Sequence, residues 1–388
     1  MKAYLDNNAT TRPLPEVVSA MSEALEHCWA NPSSIHRPGQ TARARVEKAR
    51  RAMADLLGVG PREVVFCSGG TESCQIAIRG ALGRPDFESP TPWRTMVTSP
   101  VEHSAVRDLA KSFGECDGHE VRWLPVDGRG VVDVEAARGV ITEGVCLVSL
   151  QWVNNETGAV QPVEEIGEMA RAAGALMHVD GTQWVGRMPA NLQDMPFDML
   201  TCSAHKFHGP KGVGVLWIRR GVKLCKLTPG SQELGRRGGT ENVPGIVGLG
   251  VAASQAAEWL ADEGHRERIA AQRDRLEREI LGRVPGASVN GSVGPHCRLY
   301  NTTNIALPGV DAEIILLTLA EMGVCASAGS ACSSGSLEPS PVLCAMGVDT
   351  RLAAGSLRLS LSRFTTDDEV SQAADAIAEA WRVVTAAI

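Results

Sequence analysis

An acidic side chain and an amine each follow an apolar run, and the two runs are neighbours along the chain. Asp180 closes the run at 176–179, and Lys206 comes shortly after the run at 199–202. A carboxylate at the end of a buried strand is costly unless it meets a positive partner, such as a protonated ring nitrogen. A lysine at a strand end can form a Schiff base when burial and a neighbouring cation lower its pKa. A helix N-cap for Asp180 and an exposed position for Lys206 are the ordinary alternatives, which the pairing at two strand ends makes weaker.

A glycine-rich turn further upstream is suited to an anion. The apolar run at 64–67 leads into Gly69, Gly70 and Thr71, and a helical pattern follows. Glycines allow a backbone to approach a ligand closely, and free N–H groups at a helix start favour a phosphate. An ordinary strand-to-helix turn is the alternative. Asp180 and Lys206 would add an acidic partner for a ring nitrogen and a lysine that can form a Schiff base, and pyridoxal-phosphate chemistry requires both.

One cysteine differs from the others in its surroundings. Cys332 lies in the stretch 326–335, which consists of small residues with almost nothing apolar to bury, whereas Cys67, Cys146 and Cys202 lie in apolar runs. Because the thiolate is the reactive form and needs access, an exposed thiol on such a loop is typical of a nucleophile that must move. An incidental loop cysteine is the alternative.

The elements that must position these groups alternate through the first two thirds of the chain. The predicted strands lie at 64–67, 146–150, 176–179, 199–202 and 213–218. Between two of them, the segment 162–173 has a proline at a first helical position, an apolar face and a glycine just beyond its end. Strands that alternate with helices predict an α/β fold with a mostly parallel sheet.

The pattern changes after about residue 253. A long charged amphipathic helix is predicted at roughly 255–281, and a stretch rich in glycine and proline follows it. The last helix is predicted to start at Thr366, which forms a capping box with Glu369. Its buried stripe is predicted to hold Val370, Ala373, Ile377, Ala380 and Val384.

The chain is long enough for more than one domain. At about 150 residues per domain, 388 residues suggest two or three. We predict a large domain at 14–254 and a smaller α+β domain formed by 1–13 and 255–388. The smaller domain carries the loop at about 324–338 that contains Cys332.

Charge and composition exclude several classes of protein. A net charge of -7 without a long Lys/Arg run argues against nucleic-acid binding. No apolar run approaches the roughly 20 residues of a membrane span, and the N-terminal stretch lacks the apolar region of a signal peptide. Eleven cysteines at irregular spacings contain no CxxC pair, so neither a disulfide framework nor a zinc site is predicted. We expect a cytoplasmic protein with reduced thiols and no membrane partner.

The order and spacing of short motifs along nearly the whole chain resemble the cysteine desulfurases of the NifS/IscS type. That family lies within the class V aminotransferase group of fold-type I pyridoxal-phosphate enzymes. The resemblance therefore implies a large domain with a mostly parallel seven-stranded sheet between helices, plus a smaller α+β domain. The matching motifs lie at 4–11, 31–36, 68–73, 102–103, 153–158, 179–183, 205–206, 239–245, 330–339 and 358–366.

The resemblance implies how the ring of pyridoxal 5'-phosphate would be held. Lys206 would carry the cofactor as a Schiff base, Asp180 would pair with the ring nitrogen, and His103 would stack on the ring. Asn155 and Gln183 would form hydrogen bonds near the phenolic oxygen. Taken singly, His103 could instead pair with its neighbour at the surface, Asn155 could be a turn residue, and Gln183 could face solvent.

The resemblance also implies residues for the cofactor phosphate. Gly70, Thr71, Ser203 and His205 would hold it within one subunit. Thr240 would reach the same phosphate from a second subunit, which implies a homodimer.

For substrate and catalysis, the resemblance implies that Arg358, beside Asn155, would bind the substrate carboxylate as a fork, although a structural ion pair is the simpler role for Arg358. L-cysteine would become L-alanine, with Lys206 and His103 moving protons and Cys332 taking the sulfur as a persulfide. An acceptor protein, such as an iron–sulfur scaffold, would then receive that sulfur for iron–sulfur cluster, thio-cofactor or transfer-RNA biosynthesis. No resident metal is implied, apart from transient iron–sulfur ligation by Cys332 with a partner.

Two other functions stay open at this stage. A selenocysteine lyase shares the cofactor and the reaction geometry, and a non-catalytic scaffold could keep the fold and bind sulfur-relay partners. Retention of Lys206 and Cys332 argues against the scaffold. The sequence departs from the family at Cys74, Gln75, Ala204 and Leu359, and it has an insertion at 84–94 whose role the sequence does not indicate.

Overall fold

The computed structural model describes residues 1–84, 94–294, 297–328 and 339–387, so Cys332 and most of the 84–94 insertion lie outside the described residues. Its helices are α1 (Pro15–His27), α2 (Arg37–Leu57), α3 (Gly70–Leu82), α4 (Ser104–Glu115), α5 (Val134–Val140), α6 (Val163–Ala172), α7 (Gln232–Gly235), α8 (Val243–Leu260), α9 (Gly264–Arg283), α10 (Ala312–Glu321), α11 (Pro341–Ala345), α12 (Thr350–Ala354) and α13 (Asp367–Ala387). Its strands are β1 (Ala3–Tyr4), β2 (Val64–Cys67), β3 (Thr95–Thr98), β4 (Glu120–Trp123), β5 (Val145–Gln151), β6 (Leu176–Asp180), β7 (Met199–Ser203), β8 (Gly214–Ile218), β9 (Ser288–Val289), β10 (Thr302–Ala306), β11 (Val324–Cys325) and β12 (Ser356–Ser360). Short 3-10 turns lie at Pro61–Glu63 and Ala204–Lys206.

A seven-stranded sheet in the order β2-β8-β7-β6-β5-β3-β4 forms the centre of the molecule. β8 runs in the opposite direction to the other six strands, so its pairings with β2 and β7 are antiparallel and the remaining pairings are parallel. The predicted strands correspond to β2, β5, β6, β7 and β8. Their apolar runs form strands because helices cover both faces of a parallel sheet, which leaves no polar side to alternate with. The prediction of a mostly parallel seven-stranded α/β fold is confirmed.

Two details of the predicted helices need correction. The single helix expected at roughly 255–281 is instead the end of α8 and most of α9, which are separated at 261–263. The break follows from local capping, because Asp262 Oδ1 accepts a hydrogen bond from the Gly264 backbone N–H at 2.9 Å. In α6, Pro162 occupies the N-cap rather than the first helical position.

A second apolar cluster joins the chain's N-terminus to its C-terminal third. β1 pairs with β11 in parallel, and β12, β10 and β9 form an antiparallel sheet. The predicted capping box of α13 is present, with the Thr366 N–H donating to Glu369 Oε2 at 2.7 Å and the Glu369 N–H donating to Thr366 Oγ1 at 3.2 Å. The predicted stripe of α13 is buried in this cluster. The domain boundary near residue 254 stays a prediction, since α8 runs through it without interruption.

In the part of the chain that the structure describes, no helix combines the length and the apolar character needed to cross a membrane.

Candidate active site

A cavity of about 240 Å³ opens at the edge of the central sheet where β2, β5, β6 and β7 end. Ligands of open α/β sheets bind at this carboxyl edge, because the helices that follow the strands begin there. Most of the predicted cofactor residues line the cavity: Gly70, Thr71, His103, Asn155, Asp180, Gln183, Ser203, His205 and Lys206. Cys74, one of the departures from the family, lines it as well, and burial raises the pKa of its thiol well above the usual value.

Two adjacent parallel strands bring the carboxylate and the amine together. β6 ends at Asp180, which pairs in register with Thr201 of β7, and the short turn after β7 carries Lys206. Asp180 is buried, and its Oδ1 accepts the Thr182 backbone N–H at 3.0 Å. Lys206 Nζ donates to the carbonyl oxygen of Asn8 at 2.6 Å. The cavity therefore has an anion and a primary amine in its wall.

The phosphate-binding turn follows β2. Gly69 caps α3, which begins at Gly70, so the first-turn N–H groups of a 13-residue helix face this end of the cavity. The backbones come close here, because a Cβ on Gly214 would stand 2.7 Å from the carbonyl carbon of Gly69. Ser203 and His205 line the same cavity, and burial, together with the charge of Lys206, lowers the pKa of His205 to about 4. His205 is therefore neutral at pH 7.

His103 is held as a neutral ring. It caps α4, and its Nδ1 accepts the Ala105 backbone N–H at 3.1 Å. Burial lowers the pKa of His103. Because Nδ1 is an acceptor, the hydrogen of the neutral ring lies on Nε2. Glu102 does not pair with it at the surface: Glu102 is buried, burial raises its pKa well above the usual value, and its Oε1 accepts the Gln151 N–H at 2.8 Å.

Arg358 lies beside the cavity and forms an ion pair, which is the simpler of the two roles that the sequence allows for it. Its Nη2 donates to Asp6 Oδ1 at 2.8 Å, and its Nη1 donates to the carbonyl oxygen of Asn155 at 3.3 Å. The side chain is buried, and among the described residues its Nε has no hydrogen-bond partner. The guanidinium is thus held by two hydrogen bonds, and its buried Nε donates none among the described residues.

Sequence reasoning missed two residues of the site. Asn8 accepts hydrogen bonds at its carbonyl oxygen from Lys206 and from Gln183, and its Oδ1 accepts one from Arg187 at 2.6 Å. The motif at 4–11 contains Asn8, but no chemistry was assigned to it. Arg187 lies four residues after Gln183 in a stretch of turns, where this spacing does not by itself bring side chains together as it does in a helix, so no local pattern marks it.

Three predicted residues are not in the cavity wall, and Arg358, which lies beside it, is one of them. Thr240 is exposed in this single chain and does not belong to the lining. Cys332 lies outside the described residues. On one side of its segment, Ser327 and Arg358 exchange backbone hydrogen bonds. On the other side, Ser340 Oγ donates to the buried carboxylate of Glu156 at 2.5 Å.

Comparison with known proteins gives consistent matches over almost the whole chain. Residues 3–373 match the family described as Aminotransferase class-V. A cysteine desulfurase from Cereibacter sphaeroides is 47% identical over 373 residues, which are 96% of this chain and 93% of that protein. The solved structure of a NifS-like protein superposes with a TM-score of 0.89 at 36% identity, covering 98% of this chain and 99% of that one. The structure of SspA in complex with cysteine gives a TM-score of 0.79 at 32% identity, covering 94% and 100%.

Proposed function

The chain belongs to the aminotransferase class-V family, and we propose that it is a cysteine desulfurase that uses pyridoxal 5'-phosphate to convert L-cysteine to L-alanine. The observation that carries this proposal is the placement of Asp180 and Lys206 in one cavity, next to the start of α3. The identity of 47% to a cysteine desulfurase over almost the full length supports the same conclusion. Within the described ranges, no group of three or more His, Cys, Asp and Glu side chains is placed to hold a metal ion.

The residues of the cavity suit each part of the cofactor. When bound, pyridoxal phosphate supplies an electron-accepting ring that stabilises negative charge at the substrate Cα. Asp180 would hold a proton on the ring nitrogen, and Lys206 would attach the ring through its aldehyde carbon. Thr71, Ser203 and the first N–H groups of α3 would bind the phosphate.

Two groups are placed to move protons. Lys206, once displaced by the substrate amine, would remove the Cα proton, and the carbonyl oxygens of Asn8 and Ala9 fix its Nζ at 2.6 and 3.0 Å. His103 would donate the Nε2 hydrogen and orient the ring by stacking on it. Its lowered pKa keeps the imidazole neutral at pH 7, so it does not add a second cation beside Lys206.

Arg358 and Cys332 are the residues that we propose for binding the substrate carboxylate and for accepting the sulfur atom. Arg358 would bind the carboxylate as a fork through its guanidinium, and SspA, a structural relative, was solved with cysteine bound. Cys332 is five residues from Ser327, so an extended chain lets it reach about 17 Å from that anchor. Its thiolate would take the sulfur atom of cysteine, which gives alanine and an enzyme persulfide without any external oxidant.

A homodimer and an acceptor protein complete the proposal. Thr240 would bind the phosphate of the second subunit, which accounts for its exposure in the single chain. Trp29 and Ile35 are 76% and 96% exposed, and large apolar side chains on the surface suit a subunit interface. The persulfide would pass to an acceptor protein, such as an iron–sulfur scaffold, in the cytoplasm, where thiols stay reduced.

The test is to mix the purified protein, pyridoxal phosphate and L-cysteine, and to measure alanine together with persulfide on Cys332. Cys332→Ala should lose persulfide and sulfur transfer but still bind the cofactor, while Cys344→Ala, which removes an exposed cysteine of the described chain, should behave as wild type. Wild-type alanine formation by Cys332→Ala would refute the role of this thiol. If Cys332→Ala turns over selenocysteine normally but not cysteine, the protein could be a selenocysteine lyase. A colourless wild-type protein that does not bind pyridoxal phosphate would favour a non-catalytic scaffold.

A further inference from the structure

A buried guanidinium lies directly behind the cavity. Arg187 is 4% exposed, and its hydrogen bonds go to neutral oxygen atoms. Its partners are Asn8 Oδ1 at 2.6 Å, Gln183 Oε1 at 2.7 Å, the carbonyl oxygen of Asn7 at 2.9 Å and the carbonyl oxygen of Lys206 at 3.2 Å. Within the described ranges it forms no ion pair, so its positive charge is not compensated locally. A buried, uncompensated charge is expensive and calls for a function.

The first consequence of Arg187 concerns the amide of Gln183. An amide oxygen and an amide nitrogen look alike in shape, so their orientation is set by hydrogen-bond partners. Arg187 can only donate, so it must face Gln183 Oε1, and the Gln183 NH₂ group then donates to the carbonyl oxygen of Asn8 at 3.0 Å. The second hydrogen of that NH₂ group remains for the cavity, which Gln183 lines. Arg187 thus makes Gln183 a donor toward a bound ring.

The second consequence concerns the amine of Lys206. Asn8 accepts a hydrogen bond from Arg187 at its side-chain oxygen and one from Lys206 at its carbonyl oxygen, so Arg187 and Lys206 share one neighbour. Burial lowers the pKa of Arg187 to about 10, which still leaves it charged at pH 7. Its charge also contributes, after burial and the lysines, to the lowered pKa of His205. A positive charge that contacts the Lys206 backbone and shares Asn8 with its amine disfavours a positive charge on the Lys206 nitrogen or on an imine formed from it.

We propose that Arg187 is a positioning residue of the cofactor site, which orients the Gln183 amide as a donor and electrostatically favours the unprotonated nitrogen of Lys206. The proposal rests on the proposed function, because both effects act on bound pyridoxal phosphate. It differs from a merely structural role, since packing alone would not change the protonation of the bound cofactor.

The test is a pH titration of the visible absorption of the cofactor-loaded protein. In Arg187→Gln the titration midpoint should rise by about one pH unit, because a nearby cation has been removed from a low-dielectric site. Arg187→Lys should restore the midpoint by restoring the charge, but should release the cofactor faster, since the three N–H donors of an ammonium cannot serve all four oxygen acceptors.

Arg219→Gln is the matched control. Arg219 also donates to several carbonyl oxygens, those of Leu192, Gln193, Met195 and Phe197, but it follows β8 at the opposite edge of the sheet. Its replacement should cost stability without moving the midpoint. An unchanged midpoint in Arg187→Gln would overturn the proposal.

If Arg187→Gln does not fold, Arg187→Lys tests the proposal instead. Cofactor retention by Arg187→Lys equal to that of the wild type would then contradict the positioning role. If the cofactor-loaded wild-type protein shows no visible absorption band, the proposed function itself is contradicted. If it shows a band whose titration midpoint Arg187→Gln does not shift, only the role of Arg187 is contradicted.

Discussion

Two buried histidines and the half-buried His205 lie in or near the candidate site, and each has a strongly lowered pKa. Burial lowers the pKa of His178, His205 and His208 to about 4. Because the unfolded chain binds a proton near pH 6.5 and the folded chain does not, each histidine stabilises the fold less as the pH falls. The loss begins as the pH drops through about 6.5 and is complete below about 4.

His208→Asn tests this effect at a site outside the main cavity. His208 has a φ of 69°, a left-handed conformation that asparagine tolerates, and its Nδ1 donates to the carbonyl oxygen of Arg12 at 2.8 Å, a bond that an asparagine amide can replace. The variant lacks a group that must protonate on unfolding. Between pH 7 and pH 5, the wild type should therefore lose about 2 kcal/mol more stability than the variant. Urea unfolding at the two pH values measures this, and parallel losses in both proteins would show that His208 does not titrate in this way.

The sequence indicated the residues proposed as reactive more clearly than the residues that contact them. Asp180 and Lys206 could be found because each stands out as a polar group at the end of an apolar run. Arg187 and Asn8 could not, because their contacts depend on the N-terminal segment folding back onto residues almost 180 positions away. Arg358 shows the same limit, since nothing local to it reveals Asp6 as its partner.

At the scale of elements, a glycine-bearing face of α8 lets α1 and α2 pack closely against that helix. A Cβ on Gly250 would lie 2.6 Å from the Cα and the Cβ of Ala49 in α2, and a Cβ on Gly248 would lie 2.7 Å from the Met21 side chain in α1. Backbone atoms cannot move aside as a flexible side chain can. The contact between α2 and α8 therefore depends on Gly250.

Gly250→Ala should destabilise the protein by about 1–3 kcal/mol, because the added methyl group overpacks a rigid contact. Gly282→Ala in α9 is the matched control, since no atom lies within 4 Å of its Cβ position. That change should be neutral or stabilise by up to about 1 kcal/mol through helix propensity. Chemical denaturation of both variants measures the difference, and equal stabilities would contradict the close packing of α2 on α8.

The strands were easier to predict than the helix ends. A fully buried strand such as β5 or β7 needs a continuous apolar run, which is visible without knowing its neighbours. The break between α8 and α9 depends on one side-chain cap by Asp262 inside a stretch that is helical in pattern on both sides. Periodicity therefore predicts that a helix exists more reliably than it predicts where it ends.

At the scale of the whole molecule, the proposal requires two chains for each complete site. Thr240 is exposed in the single chain, whereas the phosphate turn at Gly70 lies in the cavity wall. A sequence cannot indicate by periodicity or charge that a residue acts in another copy of the chain, and Thr240 was assigned only through the family resemblance. The role of the second subunit is therefore a prediction that needs its own experiment.

Co-expression of two inactive variants with different tags tests the shared site. Lys206→Ala should lack its own amine, and Thr240→Glu should repel the phosphate of its partner's cofactor. In the mixed dimer, the subunit with an intact Lys206 would receive an intact Thr240 from its partner, so one of the two sites should recover and activity should return to about half of the wild-type value per dimer. A mixed dimer as inactive as both parents would contradict the contribution of Thr240 across the interface.

The most direct test of the whole account is to identify the residue that binds the cofactor. Borohydride reduction of the pyridoxal-phosphate-loaded protein converts a Schiff base into a stable amine, and peptide mass spectrometry then locates it. We expect the modification on Lys206 and its absence from Lys206→Ala, with Lys211, five residues away, unmodified. Label on Lys211 or on another lysine, or no label at all, would contradict the assignment of Lys206 and Asp180 as the two ends of one cofactor site.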